Sequence, residues 1–479
     1  MLYRLTRGVA VCIALAAVAM LTIGTSDATA DFGPPPPANP FLGPAGTATM
    51  HADAESSDST PLSGVGSGDI AANYTELAAA CPTIVQGADG YPQALCTKII
   101  NQSPTVFLLD PATGHPLASL DLTKGSLLGG VYAYLDNTDH LVTVDGSGDL
   151  LRIGHDRGGP LGSWRLFIDS KTDISQAVTG HCGAAGCDSV SSVMPDRAGR
   201  VWFATDNGAA GFTDPKTGRS QSIVLGAGEQ VDNSISTAPQ GVAVATDHAL
   251  YLLGVDDSGA PHILWRQPYD RGPARKPGQL SWGTGATPTF FGPRTGTEYL
   301  TITDNAVPKE NLLVYDTATG HTVCSAPAVD GTENSPIGSG SSVFVASTYG
   351  YPYPALPAGA GPSQPASAPF NGGMVRIDVN ATGSGCSVVW TDGAPSAAVP
   401  RLSLPDGKIY TVTRHSLLGA GLTKEFKLAV IDAATGTIDS ERVIGGTVAQ
   451  DTLQTVGTIA PGRVQYQGTV SGLFRMTPR

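Results

Sequence analysis

The sequence predicts an all-β fold, a single β-propeller of four-stranded antiparallel blades, on three observations. Gly and Pro number 60 and 36 in 479 residues, about 12% and 8% against roughly 7% and 5% on average, so turns are frequent. Short apolar runs alternate without helical periodicity. One strand-and-turn phrase recurs with a mean period of about 52 residues, which is the size of a propeller blade.

The phrase is an apolar strand, then Asp, two variable residues and Thr-Gly, then another strand. It runs through Val106, Phe107, Leu108 and Leu109 to Asp110, with Thr113-Gly114 after it. It returns at Gly211 to Asp214 with Thr217-Gly218, at Leu313 to Asp316 with Thr319-Gly320, and at Leu428 to Asp432 with Thr435-Gly436. A version one residue longer runs from Asp378 to Thr382-Gly383. The Asp carboxylate caps such a hairpin, and Gly takes the positive φ that other residues resist. From Asp110 to Asp214 is 104 residues and from Asp214 to Asp316 is 102, so a weaker copy belongs midway in each gap. Leu150 to Ile153 and His262 to Trp265 are the candidates, and Gly472 to Met476 ends the series. Eight blades follow, with seven the alternative. A second turn, Asp196-Arg197-Ala198-Gly199 and again Pro405-Asp406-Gly407, marks an earlier hairpin of the same meander. The last blade stops at its third strand, so an N-terminal strand from just before Cys81 is expected to close the ring and remove its exposed edge.

Before the repeat, Arg4 and Arg7 precede an apolar run over 8–23, and Ala28-Thr29-Ala30 supplies small residues for cleavage. Residues 1–30 read as a cleaved signal peptide, the alternative being a retained anchor. The mature chain would be secreted or held in the cell envelope without a transmembrane span, and is expected to be a monomer. Residues 31–75, rich in Pro, Gly, Ala and Ser, read as a disordered arm, which leaves 76–479 as the propeller domain. Cleavage leaves 26 basic and 40 acidic residues, a net charge of −14, which disfavours nucleic acid as a partner. With 14% charged residues and 41% hydrophobic ones, a coiled coil and a wholly disordered chain are also excluded.

Six cysteines persist after cleavage: Cys81, Cys96, Cys182, Cys187, Cys324 and Cys386. An even set in an exported chain predicts disulfides. Cys324 and Cys386 fall at the start of outer strands in adjacent blades and are expected to pair. Cys182 with Cys187 would pin a loop, and Cys81 with Cys96 is the third pair.

The Asp-x-x-Thr-Gly hairpins resemble the quinoprotein-like propeller superfamily, which includes pyrroloquinoline quinone dehydrogenases and envelope assembly proteins. In the quinone-binding members Lys and a later Trp follow the hairpin Gly. Here His115, Arg219, His321 and Thr437 follow, so the resemblance implies the fold, while pyrroloquinoline quinone and Trp-docked blades are not expected. Over about 200–476, phrases such as Ile302-Thr303-Asp304-Asn305, Thr332 to Gly338, Tyr349-Gly350-Tyr351 and Gly385 to Trp390 resemble secreted bacterial propellers with no established activity.

Tight turns sort to one face of such a meander and long connections to the other. The long ones are 173–189, 226–240 and 331–341 between blades, and 304–311, 348–374 and 415–424 within them. Binding concentrates on loops of a rigid scaffold. On that face recur Asp206-Asn207, Asp232-Asn233-Ser234, Asp304-Asn305 and Glu333-Asn334-Ser335, expected to ring the channel mouth. Oxygens of Asp232, Asp304, Asn305, Glu333 and Asn334 would suit calcium or another divalent cation, or sugar hydroxyls. Gluconolactonase-type propellers use similar ligands. Tyr349, Tyr351 and Tyr353, on a Pro-rich insertion, offer rings to a sugar or a protein. The cluster Arg266, Arg271, Arg275 and Lys276 reads as a solvated loop.

The sequence thus predicts a non-enzymatic binding scaffold whose long-loop face takes a protein, glycan or small molecule. The alternatives are a divalent-cation-dependent lactonase-like hydrolase at the channel mouth, and a pyrroloquinoline quinone oxidoreductase. No phosphate loop, zinc helix or Gly-x-Ser-x-Gly elbow is present, and no catalytic residue is assigned.

Overall fold

A computed structural model describes residues 32–124, 132–159, 162–178, 189–357, 359–416 and 424–479. The expected signal peptide and the pair Cys182 and Cys187 lie outside the described residues. Eight sheets of four antiparallel strands form a ring. The first seven blades span 79–121, 134–173, 190–224, 236–268, 289–327, 337–391 and 401–445. The eighth combines Gly457–Ala460, Val464–Gly468 and Gly472–Pro478 with Ile70–Glu76 as its outermost strand. That strand lies antiparallel to the last one, with Ile70 opposite Pro478 and Glu76 opposite Gly472. The ring is therefore closed by the N-terminal segment, and the count is eight rather than seven.

Within each blade the chain runs outward. Inner strands such as Val190–Pro195 and Ile337–Ser339 are buried at every position. Outer strands such as Pro116–Asp121 and Cys386–Thr391 are largely in contact with solvent. Interior strands covered on both faces by neighbouring blades bury nearly every side chain, so strict alternation survives only at the rim. One expected repeat shifts. His262 to Trp265 belong to the outer strand of blade 4, Pro261–Pro268, and the third strand is Ala249–Val255. Its turn, Asp256 to Gly259, is one residue shorter than the Asp-x-x-Thr-Gly hairpins and carries Ser where they carry Thr, which hid it.

Neighbouring blades interlock through the recurring hairpins. Trp265 of blade 4 donates from Nε1 to the Thr317 carbonyl of blade 5 at 2.9 Å. Trp390 of blade 6 donates likewise to the Ala433 carbonyl of blade 7 at 3.0 Å. Each indole covers the hairpin Gly: a Cβ at Gly320 would lie 2.8 Å from Trp265, and one at Gly436 2.7 Å from Trp390. Trp docking therefore does occur in two places, at a longer spacing after the preceding hairpin Gly than the quinoprotein pattern has. Cys324 and Cys386 are bonded across blades 5 and 6, closing 62 residues, and Cys81 is bonded to Cys96 within blade 1.

The expected disordered arm is corrected by the structure. Residues 39–65 run across the channel end where the first hairpin turns lie, and touch all eight blades. Gln86 donates from its backbone to the Thr47 carbonyl at 3.0 Å and Leu135 to Ala48 at 2.8 Å. Asn39 reaches the Pro195 carbonyl at 2.9 Å. Thr237, Phe290, Gly338 and Leu402, each on the inner strand of a successive blade, donate to the carbonyls of Ala54, Glu55, Ser57 and Asp58 at 2.7 to 3.0 Å. Ser59–Thr60 adds a short parallel strand to blade 7, and Arg463 of blade 8 holds the carbonyls of Gly64 and Val65, both at 3.0 Å. Ala48, Ala52, Ala54, Ser56 and Ser57 are buried. Small side chains fit a narrow channel, and the inner strands satisfy the arm's backbone, so ordering it does not need an apolar core of its own.

Arg401 anchors this plug. It is fully buried, donates to the Met50 carbonyl, and faces Asp58 at 3.5 Å, which in turn bonds His51 at 2.9 Å. Glu55 meets Arg197 at 2.9 Å. Arg401→Ala strands buried acid without its counter-charge and is expected to cost about 3–5 kcal/mol, read as a lower urea midpoint. Gly320→Ala both strains a residue at φ +72° and drives a methyl into Trp265. It is expected to cost about 1–3 kcal/mol, and a midpoint equal to the parent would remove the docking role of Trp265.

Candidate functional site

Above the plug the channel opens as a recess on the long-loop face. Its floor is Met50 of the arm, packed with Val399, Val456 and Tyr132. Each of the last three directly precedes or lies two residues before an inner strand, so the floor sits where those strands begin. At the same level polar side chains link blades around the channel, neighbouring ones in most cases and blade 6 to blade 8 through Asn334 and Gln454. Ser192 bonds Ser234 at 3.0 Å, Thr287 donates its backbone N–H to Ser335 Oγ at 3.0 Å, and Asn334 donates to Gln454 at 3.1 Å. Gln454 also donates to the Ser396 carbonyl at 2.7 Å.

Asp232, Asn233 and Glu333 rise from this ring on connections between blades. Tyr132 donates to Asn233 Oδ1 at 3.4 Å and lies in the fields of both Asp232 and Glu333. Leu280 donates its backbone N–H to Glu333 Oε2 at 2.9 Å. Tyr353 comes from the insertion in blade 6, in the fields of Glu333 and Asp451, and its buried hydroxyl has no hydrogen-bond partner. Tyr351 beside it donates to Asp451, which also pairs with Arg414 at 3.2 Å.

Burial pushes the Glu333 carboxyl up to about 8, with Asp232 adding to the rise. Asp232 goes to about 6, from the protein around it first and then from Asp206 and Asp247. Its side chain is nevertheless exposed to solvent. The two facts agree for a carboxylate projecting into a narrow recess open to water, and that access limits the rise. Near neutral pH Glu333 is then a proton donor and Asp232 chiefly an acceptor, two carboxyls set apart by their surroundings.

The remaining predicted residues divide. Asn334 belongs to the polar ring. Asp206 stands near enough to act on Asp232 and accepts from Ser189, while Asn207 is exposed at the tip of the same turn. Asp304 caps its own connection, accepting from the Asn311 backbone at 2.7 Å and side chain at 2.8 Å. Asn305 is buried and clamps the carbonyls of Arg271 and Ala274 at 2.7 and 3.0 Å. Tyr349 lies beside the close-packed backbone at Gly331. The proposed metal set is thus split, and among the described residues no group of three or more His, Cys, Asp or Glu converges on one point.

The basic cluster is corrected too. Arg275 and Lys276 are buried: Arg275 donates to the Gln279 carbonyl at 2.6 Å and acts on Glu333, and Lys276 faces the buried Glu310 at 3.6 Å. Arg271 pairs with Asp247 at 2.6 Å and lies 3.8 Å over the Trp282 ring. Sequence reasoning missed Tyr132, Arg275, Thr287 and Gln454. The usable signal was register: each polar residue of the ring lies within three positions of an inner strand, as Asn233 and Asn334 do.

No known protein-family profile matches the chain, and no curated protein matches its sequence. Among solved structures it is similar to quinohemoprotein alcohol dehydrogenase from Comamonas testosteroni, at 11% identity and a TM-score of 0.55 over 89% of this chain and 79% of that one. It is also similar to quinohemoprotein alcohol dehydrogenase ADHIIG from Pseudomonas putida HK5, at 9% identity and a TM-score of 0.54 over 90% and 80%. What the chain shares with them is the β-propeller fold, here of eight blades.

A group whose folded pKa is raised contributes its stability fully below the unfolded value and loses it as pH rises through the folded one. For Glu333 that window runs from about 4.5 to about 8. Glu333→Gln, which keeps the shape of the protonated form, is expected to match the parent in urea stability near pH 5. Near pH 8 it should exceed the parent by a few kcal/mol, since each pH step of one across the window is worth ~1.4 kcal/mol. A constant difference across that range would show that Glu333 is ionised throughout.

Proposed function

We propose that this protein is an exported propeller scaffold that binds a small ligand in the recess on its long-loop face. The observation that carries this reading is the Tyr353 hydroxyl, buried and unpartnered beside Glu333. A buried hydroxyl left unpaired costs about 1–3 kcal/mol, and a ligand that accepts a hydrogen bond from it would recover that cost. The arm closes the channel beneath Met50, so the recess is entered from the long-loop face. Two disulfides support export, since such bonds persist in oxidising compartments.

The quinone cofactor of similar folds does not fit this recess. It is a planar quinone carrying several carboxylates, and it would meet Asp232 and Glu333 with Asp206 and Asp247 acting on Asp232. Arg275, the cation that acts on Glu333 among the described residues, is committed to main-chain carbonyls. A metal-dependent hydrolase gains no support either, because the expected ligands are divided between the recess and the Asp304 connection.

Thermal unfolding against a panel of neutral sugars, amines, amino acids and nucleosides tests the reading. A true ligand at a hundredfold excess over its Kd is expected to stabilise the protein by about 2.7 kcal/mol. The combined variant Tyr353→Ala and Glu333→Gln should abolish the shift. If no class stabilises the protein, or the shift survives in that variant, binding in the recess is refuted.

A further inference from the structure

The recess has a charge character that narrows its ligand. Asp232 has no Lys, Arg or His within ion-pair distance among the described residues, whereas Asp247, whose charge acts on it, pairs with Arg271 at 2.6 Å. The charges that act on Asp232 are Asp206 and Asp247, with the Ser281 hydroxyl beside it as a hydrogen-bond donor, and it acts in turn on Glu333. Two aromatic hydroxyls complete the lining. Tyr132 lies in the fields of both carboxyls, and the buried Tyr353 hydroxyl has no partner. The opposing charge is Arg275, whose guanidinium is held by the Gln279 carbonyl at 2.6 Å and the Gly361 carbonyl at 3.2 Å.

We propose that the recess binds an organic ammonium group, with Asp232 as its counter-ion and Tyr132, Glu333 and Tyr353 around it. This rests on the reading that the recess is a ligand site and names the class of ligand. An ammonium head supplies the charge that Asp232 lacks, and the polar part of such a ligand can accept from the Tyr353 hydroxyl and from protonated Glu333. Tyrosine rings favour organic cations electrostatically. A bare divalent ion is a poorer match, because no three acidic, Cys or His side chains among the described residues converge to coordinate it.

Isothermal titration of the whole protein with choline and with ethanolamine, each an ammonium carrying a hydroxyl that can accept a hydrogen bond, tests this, using glucose and calcium chloride as comparators. At least one amine is expected to bind, with affinity at least tenfold lower in Asp232→Asn and severalfold lower in Tyr353→Phe, which keeps the ring. The exposed control Asp257→Asn should leave affinity unchanged. Asp232 is exposed, so its variant is expected to fold, and circular dichroism checks that. Absence of binding by both amines, or binding insensitive to Asp232→Asn, overturns the inference. Glucose binding that Tyr353→Phe weakens, without amine binding, overturns the ammonium assignment and keeps the recess as a site. Silence from every probe here and across the panel above overturns both.

Discussion

The backbone of one short segment holds the centre of this molecule. Ala54, Glu55, Ser57 and Asp58 present their carbonyls in turn to the inner strands of blades 4 to 7. An open ring of blades leaves the inward N–H groups of those strands facing a channel, and buried donors without partners are costly. The arm supplies partners from a single chain, and the strand that follows it, Ile70–Glu76, closes the last blade. Ring closure and channel closure are therefore consecutive stretches of one segment. Arg401 ties them to the ring by holding the Met50 carbonyl beside Asp58.

That plug sets the depth of the candidate site. Met50 becomes a floor rather than a loose end, and Tyr132 rests on it. The inter-blade connections then bring Asp232 and Glu333 over the same floor from different sides, and the blade 6 insertion brings Tyr353. None of these groups is a partner of the others in the sequence. One carboxyl is protonated and the other chiefly ionised near neutral pH because burial and the charge of Asp232 raise Glu333 further, while Asp232 keeps access to water.

Much of the architecture was legible because it rests on local chemistry. Asp110, Asp214, Asp316 and Asp432 cap hairpins whose Gly takes a positive φ, and a turn of that kind needs only residues adjacent in the chain. The acid-amide phrases at Asp232 and Glu333 were legible for a related reason, since they closely precede inner strands. The phrase at Asp304-Asn305 looked the same and proved different: its carboxylate and amide are used within the connection itself and its neighbour. Arg275 and Lys276 read as solvated because their partners, Gly361 and Glu310, are remote in sequence.

The arm illustrates the division most clearly. Its Ala, Ser, Gly and Pro residues offer little apolar area, which as a sequence property denotes disorder. In a narrow channel the same small side chains are the ones that fit, and burial comes largely from walls built by residues remote in the chain. By itself the sequence determined the blade, its hairpins, the pairing of Cys324 with Cys386 and the face that carries long connections, all of which follow from periodicity and turn chemistry. Only the tertiary structure decided that the channel is filled from below and that Asp232, Glu333, Tyr132 and Tyr353 share its upper end. Those facts depend on distances across the ring, which no local pattern encodes.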